Sequence, residues 1–174
     1  KGDIVLVTGG GRGIGTRFAK KLTDAGAKVV LADLSTPSPE AEALISAGKA
    51  SFVMVDVTDG RRLTEAVEPH GPITGVFHCA GVLADGPLGQ VDPKRGSIAR
   101  SVKVLGWLNA IRAAGSSLKV ALAMGSWAGR FGSRHQAHYA AGNAQMAALA
   151  SSVMPNSLRT VVAEFGPWTN SEMV

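Results

Sequence analysis

The sequence predicts an α/β fold, a doubly wound, mostly parallel sheet of about six strands flanked by helices. Three observations predict it: apolar, β-branched runs recur along all 174 residues, helix-period segments with recognisable ends separate them, and a glycine-rich turn joins the first run to the first helix. The runs are continuous rather than alternating, as expected of strands covered on both faces. The length suits one domain with a sizeable core.

The first strand covers residues 4–7, and Ile14, Phe18, Leu22 and Ala25 then fall on one face of a helix stopped by Gly26. The second strand covers 28–33; Ser38 as cap and Pro39 at the first helical position open a helix that stops at Gly48. The third covers 52–57, and Asp59 caps a helix containing Leu63 and Val67. The fourth, 75–80, precedes a long helix opened by Asp92-Pro93, carrying Val102, Leu105 and Leu108 and ending near Gly115. The fifth, 120–124, precedes a helix from about His135 to Ser152, and the sixth covers 160–165. Regular alternation implies right-handed crossovers. Ser35-Thr36-Pro37-Ser38-Pro39 reads as a loop inside one domain, because the alternation continues through it.

Composition narrows the function. The 22 glycines have no three-residue period, which excludes a collagen-like chain. Cys79 is the single cysteine, so no internal disulfide forms and a reducing, cytoplasmic compartment is expected. No apolar run approaches the ~18 residues that span a membrane, so no membrane partner is expected. A net charge of +5 suits phosphate-bearing cofactors or an acidic protein, while five Phe, one Tyr and three Trp are few for base stacking, so nucleic acid is not expected.

Thr8-Gly9-Gly10-Gly11-Arg12-Gly13-Ile14-Gly15 lies where the first strand meets the first helix. Glycines there permit a tight turn and close backbone approach to a pyrophosphate, and the helix N-terminus favours negative charge. Asp33 closes the next strand, near the ~20-residue spacing at which a carboxylate accepts from the adenosine ribose; a turn-forming Asp is the other reading. Asp56, closing the third strand beside Val57, either bonds the adenine amine or caps the turn into Thr58-Asp59. Arg12 suits a 2′-phosphate, whereas Asp33 favours a free ribose, so both NADPH and NADH stay open.

Downstream, Lys103, Ser126, Tyr139 and Asn143 carry chemistry. Tyr139 and Asn143 are one helical turn apart, and Ser126 follows the fifth strand, at the sheet end where ligands bind. His135 and His138 lack an evident third ligand and read as a surface helix start, so no metal is expected. Cys79 reads as a packed thiol.

These residues resemble the short-chain dehydrogenase/reductase superfamily, a Rossmann fold, and more narrowly the ketoreductase domains of polyketide synthases. Thr8-Gly9-x-x-x-Gly13-x-Gly15 is similar to its cofactor loop, His78-Cys79-Ala80-Gly81-Val82-Leu83 to its H-x-A-G-V-L, Tyr139-Ala140-Ala141-Gly142-Asn143-Ala144 to its Y-A-A-x-N-A, and Phe165-Gly166-Pro167-Trp168 to its W-G-P-W. Ordinary members carry Tyr-x-x-x-Lys; here Asn143 holds that lysine position, and Lys103-Val104-x-Gly106 resembles the earlier helix that supplies the lysine in polyketide ketoreductases. The resemblance covers essentially the whole chain.

The resemblance implies reduction of a β-ketoacyl thioester by NADPH, with NADH as the other cofactor. Tyr139 is then the proton donor, Ser126 the hydrogen bond to the same oxygen, Lys103 the cation beside the phenol and ribose, and Asn143 the residue steadying the lysine. Thr8, Gly9, Gly11, Arg12, Gly13, Ile14, Gly15, Asp33, Asp56, Val57, Ala80, Gly81 and Pro167, with Lys103 and Tyr139, are expected around the cofactor. Asp85 is the retained aspartate of the family's L-D-D motif, and Phe131 stands eight residues before Tyr139, where the opposite class has tryptophan. This implies the B-type, D-hydroxy product, with Trp127 at the substrate entrance. The substrate is expected on the phosphopantetheine arm of an acyl carrier protein, steered by Lys94, Arg95 and Arg100 or by Arg61-Arg62. The strand count reaches only the sixth strand, so residues 1–174 are expected to be one catalytic domain of a larger multidomain synthase, without the preceding structural subdomain or the lid and seventh strand. A free-standing dehydrogenase and a nonenzymatic dinucleotide-binding domain are the alternatives.

Overall fold

The computed structural model describes residues 2–152 and 158–168. Six strands form one parallel sheet: β1 (Ile4–Thr8), β2 (Lys28–Asp33), β3 (Ala50–Met54), β4 (Gly75–His78), β5 (Val120–Ser126) and β6 (Arg159–Phe165), in the order β3-β2-β1-β4-β5-β6. The order reverses between β1 and β4, which opens a crevice at the carboxyl ends of these strands.

Successive strand residues face opposite sides of the sheet, so each apolar run feeds two cores. Leu6 and Val30 pack with Leu63, Trp107 and Met146, while Val7 and Leu31 pack with Ala19, Leu44 and Phe77. The first core lies under α3 (Gly60–Val67), α4 (Pro93–Ala114) and α6 (Ala137–Ser152), the second under α1 (Gly13–Asp24) and α2 (Pro39–Ser46). The capping signals act locally as expected: Ser38 Oγ accepts from Ala41 N, Asp59 from Arg62 N, and Asp92 from Lys94 N. Each satisfies an N–H that the first helical turn leaves unpaired.

Some boundaries differ from the sequence reading. β3 ends at Met54 and β4 at His78, although Val55 N and Cys79 N still donate to the carbonyls of Asp33 and Thr8, each at 2.9 Å. β5 runs on to Ser126 and leads directly into the short helix α5 (Trp127–Phe131), which has no periodicity long enough to reveal it. His135 sits in the left-handed region at φ 67, so α6 begins only at Ala137. Residues 169–174, where a substrate loop and lid are expected to begin, lie outside the described residues. Among the described residues, no helix is long and apolar enough to cross a membrane.

Candidate active site

The glycine loop is shaped by close approaches. Gly9, at φ +63, passes so near the β4 exit that a Cβ there would lie 2.7 Å from Ala80 N. A Cβ on Gly15 would fall on the Gly9 carbonyl oxygen, so the first turn of α1 seats directly on the loop. Gly13, at φ +55, has open space where a Cβ would point. Arg12 precedes α1 with no side-chain cap bond and is exposed at the cavity edge.

A cavity of about 1340 Å³ runs along the carboxyl ends of the strands. At one end it is lined by Gly9, Arg12, Gly13, Ile14, Gly15, Asp33, Asp56 and Val57; at the other by Lys103, Ser126, Trp127, Tyr139 and Pro167. Ala80 and Gly81 lie between, and Asp85 is on the rim.

Two residues expected at the cofactor are not among the cavity lining. Thr8 is fully buried, with Oγ1 2.7 Å from His78 Nδ1, so it braces the sheet behind the loop. Gly11 donates its N–H to Asp33 Oδ2 at 2.9 Å, which engages the group that would have met a phosphate, and its carbonyl accepts from Ser38 N at 2.8 Å. Asp33 does line the cavity, but Oδ1 also accepts from Ser35 N at 3.2 Å, so both oxygens hold the loop. Asp56 Oδ1 likewise accepts from the N–H and hydroxyl of Thr58, each at 2.8 Å: the turn-capping reading and the cavity position coexist.

At the far end, Lys103 comes from α4, only 3% exposed, and donates from Nζ to the Met124 carbonyl at 2.9 Å. Burial brings its pKa down to about 8. Tyr139 comes from α6 and is half-buried; burial raises its phenol pKa, the polar side chains of Asn143 and Ser126 oppose this, and the Asp85 charge adds to the rise. Ser126 Oγ accepts from Ala128 N at 3.2 Å, capping α5, which leaves its O–H free to donate.

Asn143 was expected to steady Lys103, but the anchor for Lys103 is the Met124 carbonyl. Asn143 Nδ2 donates to its own helix at the Tyr139 carbonyl, 2.9 Å away, and its buried Oδ1 has no hydrogen-bond partner among the described residues. Phe131 is 74% exposed and packs edge-on against Trp127 at 6.4 Å between centroids; it is not part of the cavity wall. Cys79 stands just past β4 and lines the cavity rather than lying inside a strand; burial pushes its thiol up to about 12.

Sequence reasoning missed three contributors. Met124 acts through its backbone carbonyl, which carries no residue-type signal. Gln136 Nε2 donates to Asp85 Oδ2 at 3.0 Å, and Gly86 N donates to the His135 carbonyl at 2.8 Å, so the loops after β4 and after α5 are tied across the cavity mouth.

Residues 4–170 match the family model described as KR domain. The polyketide synthase GfsA of Streptomyces halstedii is 33% identical over 183 residues, spanning 99% of this chain and 2% of that protein. Naringenin synthase of Pestalotiopsis fici is 33% identical over 178 residues, spanning 95% of this chain and 7% of that protein. Among solved structures, PlmKR1, the ketoreductase from the first module of phoslactomycin biosynthesis in Streptomyces sp. HK803, superposes with a TM-score of 0.86 at 31% identity, covering 99% of this chain and 43% of that one. A ketoreductase domain from the bacillaene assembly line gives a TM-score of 0.85 at 25% identity, with 99% and 46% covered. The chain therefore spans less than half of each of these relatives.

Proposed function

The chain belongs to the KR domain family, ketoreductases within the short-chain dehydrogenase/reductase superfamily, and on that premise we propose that it reduces a β-ketoacyl thioester to the β-hydroxyacyl thioester as one catalytic domain of a larger cytoplasmic synthase. The observation that carries the proposal is the convergence of Tyr139, Ser126 and Lys103, from three separate elements, at one end of a cavity whose other end is the glycine loop.

The residues present fit a nicotinamide dinucleotide. The open Cβ position of Gly13 and the N-terminus of the 12-residue α1 suit a pyrophosphate, and the cavity exceeds the ~300–1,000 Å³ of ordinary ligand pockets. When bound and reduced, the nicotinamide supplies hydride to the keto carbon. Tyr139 gives its phenolic proton to the oxygen that gains charge, and the free O–H of Ser126 donates a hydrogen bond to the same atom. The Lys103 ammonium favours the phenolate left behind.

Our reading favours NADPH over NADH. Arg12 and Arg17 both line the adenosine end, and the Asp33 oxygens are already engaged by two backbone N–H groups. The Asp85 carboxylate beside Tyr139 and the absence of tryptophan at Phe131 support the B-type, D-hydroxy product. The acyl carrier protein with its phosphopantetheine-bound substrate is the expected donor, and the exposed Lys94, Arg95 and Arg100 on α4 offer it a cationic face. The test compares turnover of a carrier-bound β-ketoacyl group with that of a small free ketone. Charge reversal at Arg95 and Arg100 should raise the apparent KM for the first and spare the second; equal effects would reject carrier docking.

A further inference from the structure

His78 is the last residue of β4 and is fully buried, yet the reduction described above does not use it. Thr8 is its register partner across the β1–β4 ladder, and Thr8 Oγ1 lies 2.7 Å from His78 Nδ1. The other edge of the ring faces the α4 backbone at Val102 and Lys103. Its space is made by Gly106, where a Cβ would stand 2.9 Å from His78 Cε1. Trp107 packs nearby, with ring centroids 6.2 Å apart.

Gly106 lies one turn beyond Lys103, so the two share a helix face. The imidazole is thus wedged between the sheet and the turn of α4 that delivers Lys103. Burial, and then the Lys103 charge, take its pKa down to about 3, so the ring stays neutral. A neutral imidazole has one donor and one acceptor. Nδ1 is the nitrogen engaged by Thr8 Oγ1, and Nε2 has no hydrogen-bond partner among the described residues.

We propose that His78 is a positioning residue, an uncharged wedge backed by Thr8 that sets α4 against the sheet so that Lys103 reaches Met124 and Tyr139. This rests on the reductase reading for its kinetic consequence, but the placement of Lys103 is measurable without it. Thr8, expected at the cofactor, then serves catalysis from behind the sheet.

The test uses two amide variants in the intact protein. In His78→Asn the amide occupies the place of Nδ1 and keeps the Thr8 edge; in His78→Gln it reaches the place of Nε2 and keeps the α4 edge. The first readout is the titration of Lys103 by competitive acetylation and peptide mass spectrometry, without cofactor. Wild type and His78→Gln should titrate alike, while His78→Asn should move Lys103 toward the ordinary lysine range. The second readout is the pH profile of kcat. A displaced cation no longer favours the phenolate, so in His78→Asn the alkaline limb should move to higher pH and kcat should fall at least tenfold.

Unchanged Lys103 titration in a folded His78→Asn protein overturns the proposal. So does a kcat that falls in both variants only in proportion to lost folded protein. Should neither variant fold, His78→Ser, whose side chain also falls short of α4, takes their place, and an unmoved Lys103 titration there overturns it equally. Absence of turnover in wild type would defeat the reductase reading, whereas wild-type turnover with unmoved variants would defeat only the wedge.

Discussion

The Lys103 ammonium stands 5.9 Å from the centroid of the Tyr139 ring, although the two residues belong to different helices, α4 and α6. Gly142 makes this approach feasible. A Cβ there would lie 3.1 Å from Arg100 Cα and 3.4 Å from Lys103 Cβ, so the two helices pass at a distance only glycine accommodates easily. Because the cation arrives from α4, the position one turn after Tyr139 is released to Asn143.

Removing only the phenolic hydroxyl isolates the proton donor. Tyr139→Phe should lower kcat by about 10²–10⁴-fold, the usual contribution of a positioned general acid, while dinucleotide affinity by fluorescence titration stays within a few fold.

Lys103 makes stability depend on pH with a definite sign. Its folded pKa of about 8 lies below the value of 10.5 expected of a free lysine, so between these the unfolded chain binds more protons. Stability should therefore rise with pH through that window, by at most about 1.4 kcal/mol per pH unit from this group. Denaturant unfolding at a series of pH values should show the rise in wild type and its loss in Lys103→Met; identical profiles would contradict the burial of a titrating lysine.

The glycine loop separates steric from conformational demands. Gly15→Ala drives a methyl onto the Gly9 carbonyl and should weaken dinucleotide binding at least tenfold. Gly13→Ala meets no protein neighbour, so its cost to folding is limited to the strain of its positive φ, about 1–2 kcal/mol, although its methyl enters the space proposed for the pyrophosphate. Thermal melts of the two variants without cofactor should differ accordingly.

Much of this was legible in the residues. Leu6 and Val7 announce two covered faces, and Ser38, Asp59 and Asp92 mark helix starts by chemistry that acts locally. What escaped was decided by long-range partners. Asp33 and Gly11 are motif residues by spacing, but their hydrogen bond to each other turns part of the loop inward. Thr8 belongs to the motif and yet faces the core, because His78 lies opposite it in the ladder. The helix α5 is too short to show a period, and the Met124 carbonyl that seats Lys103 is common to every residue type.

Arg12 offers a cofactor prediction independent of catalysis. It lines the adenosine end, so Arg12→Ala should raise the Kd for NADPH about tenfold or more and leave that for NADH within a few fold. Equal losses would show that Arg12 does not read the 2′-phosphate.

The most direct measurement is product formation from a carrier-bound β-ketoacyl thioester with NADPH, comparing wild type with Tyr139→Phe and resolving the product by chiral chromatography. Wild type should give a D-β-hydroxyacyl product, and the variant at least a hundredfold less. No reduction by folded wild type, or equal turnover by both proteins, would contradict it.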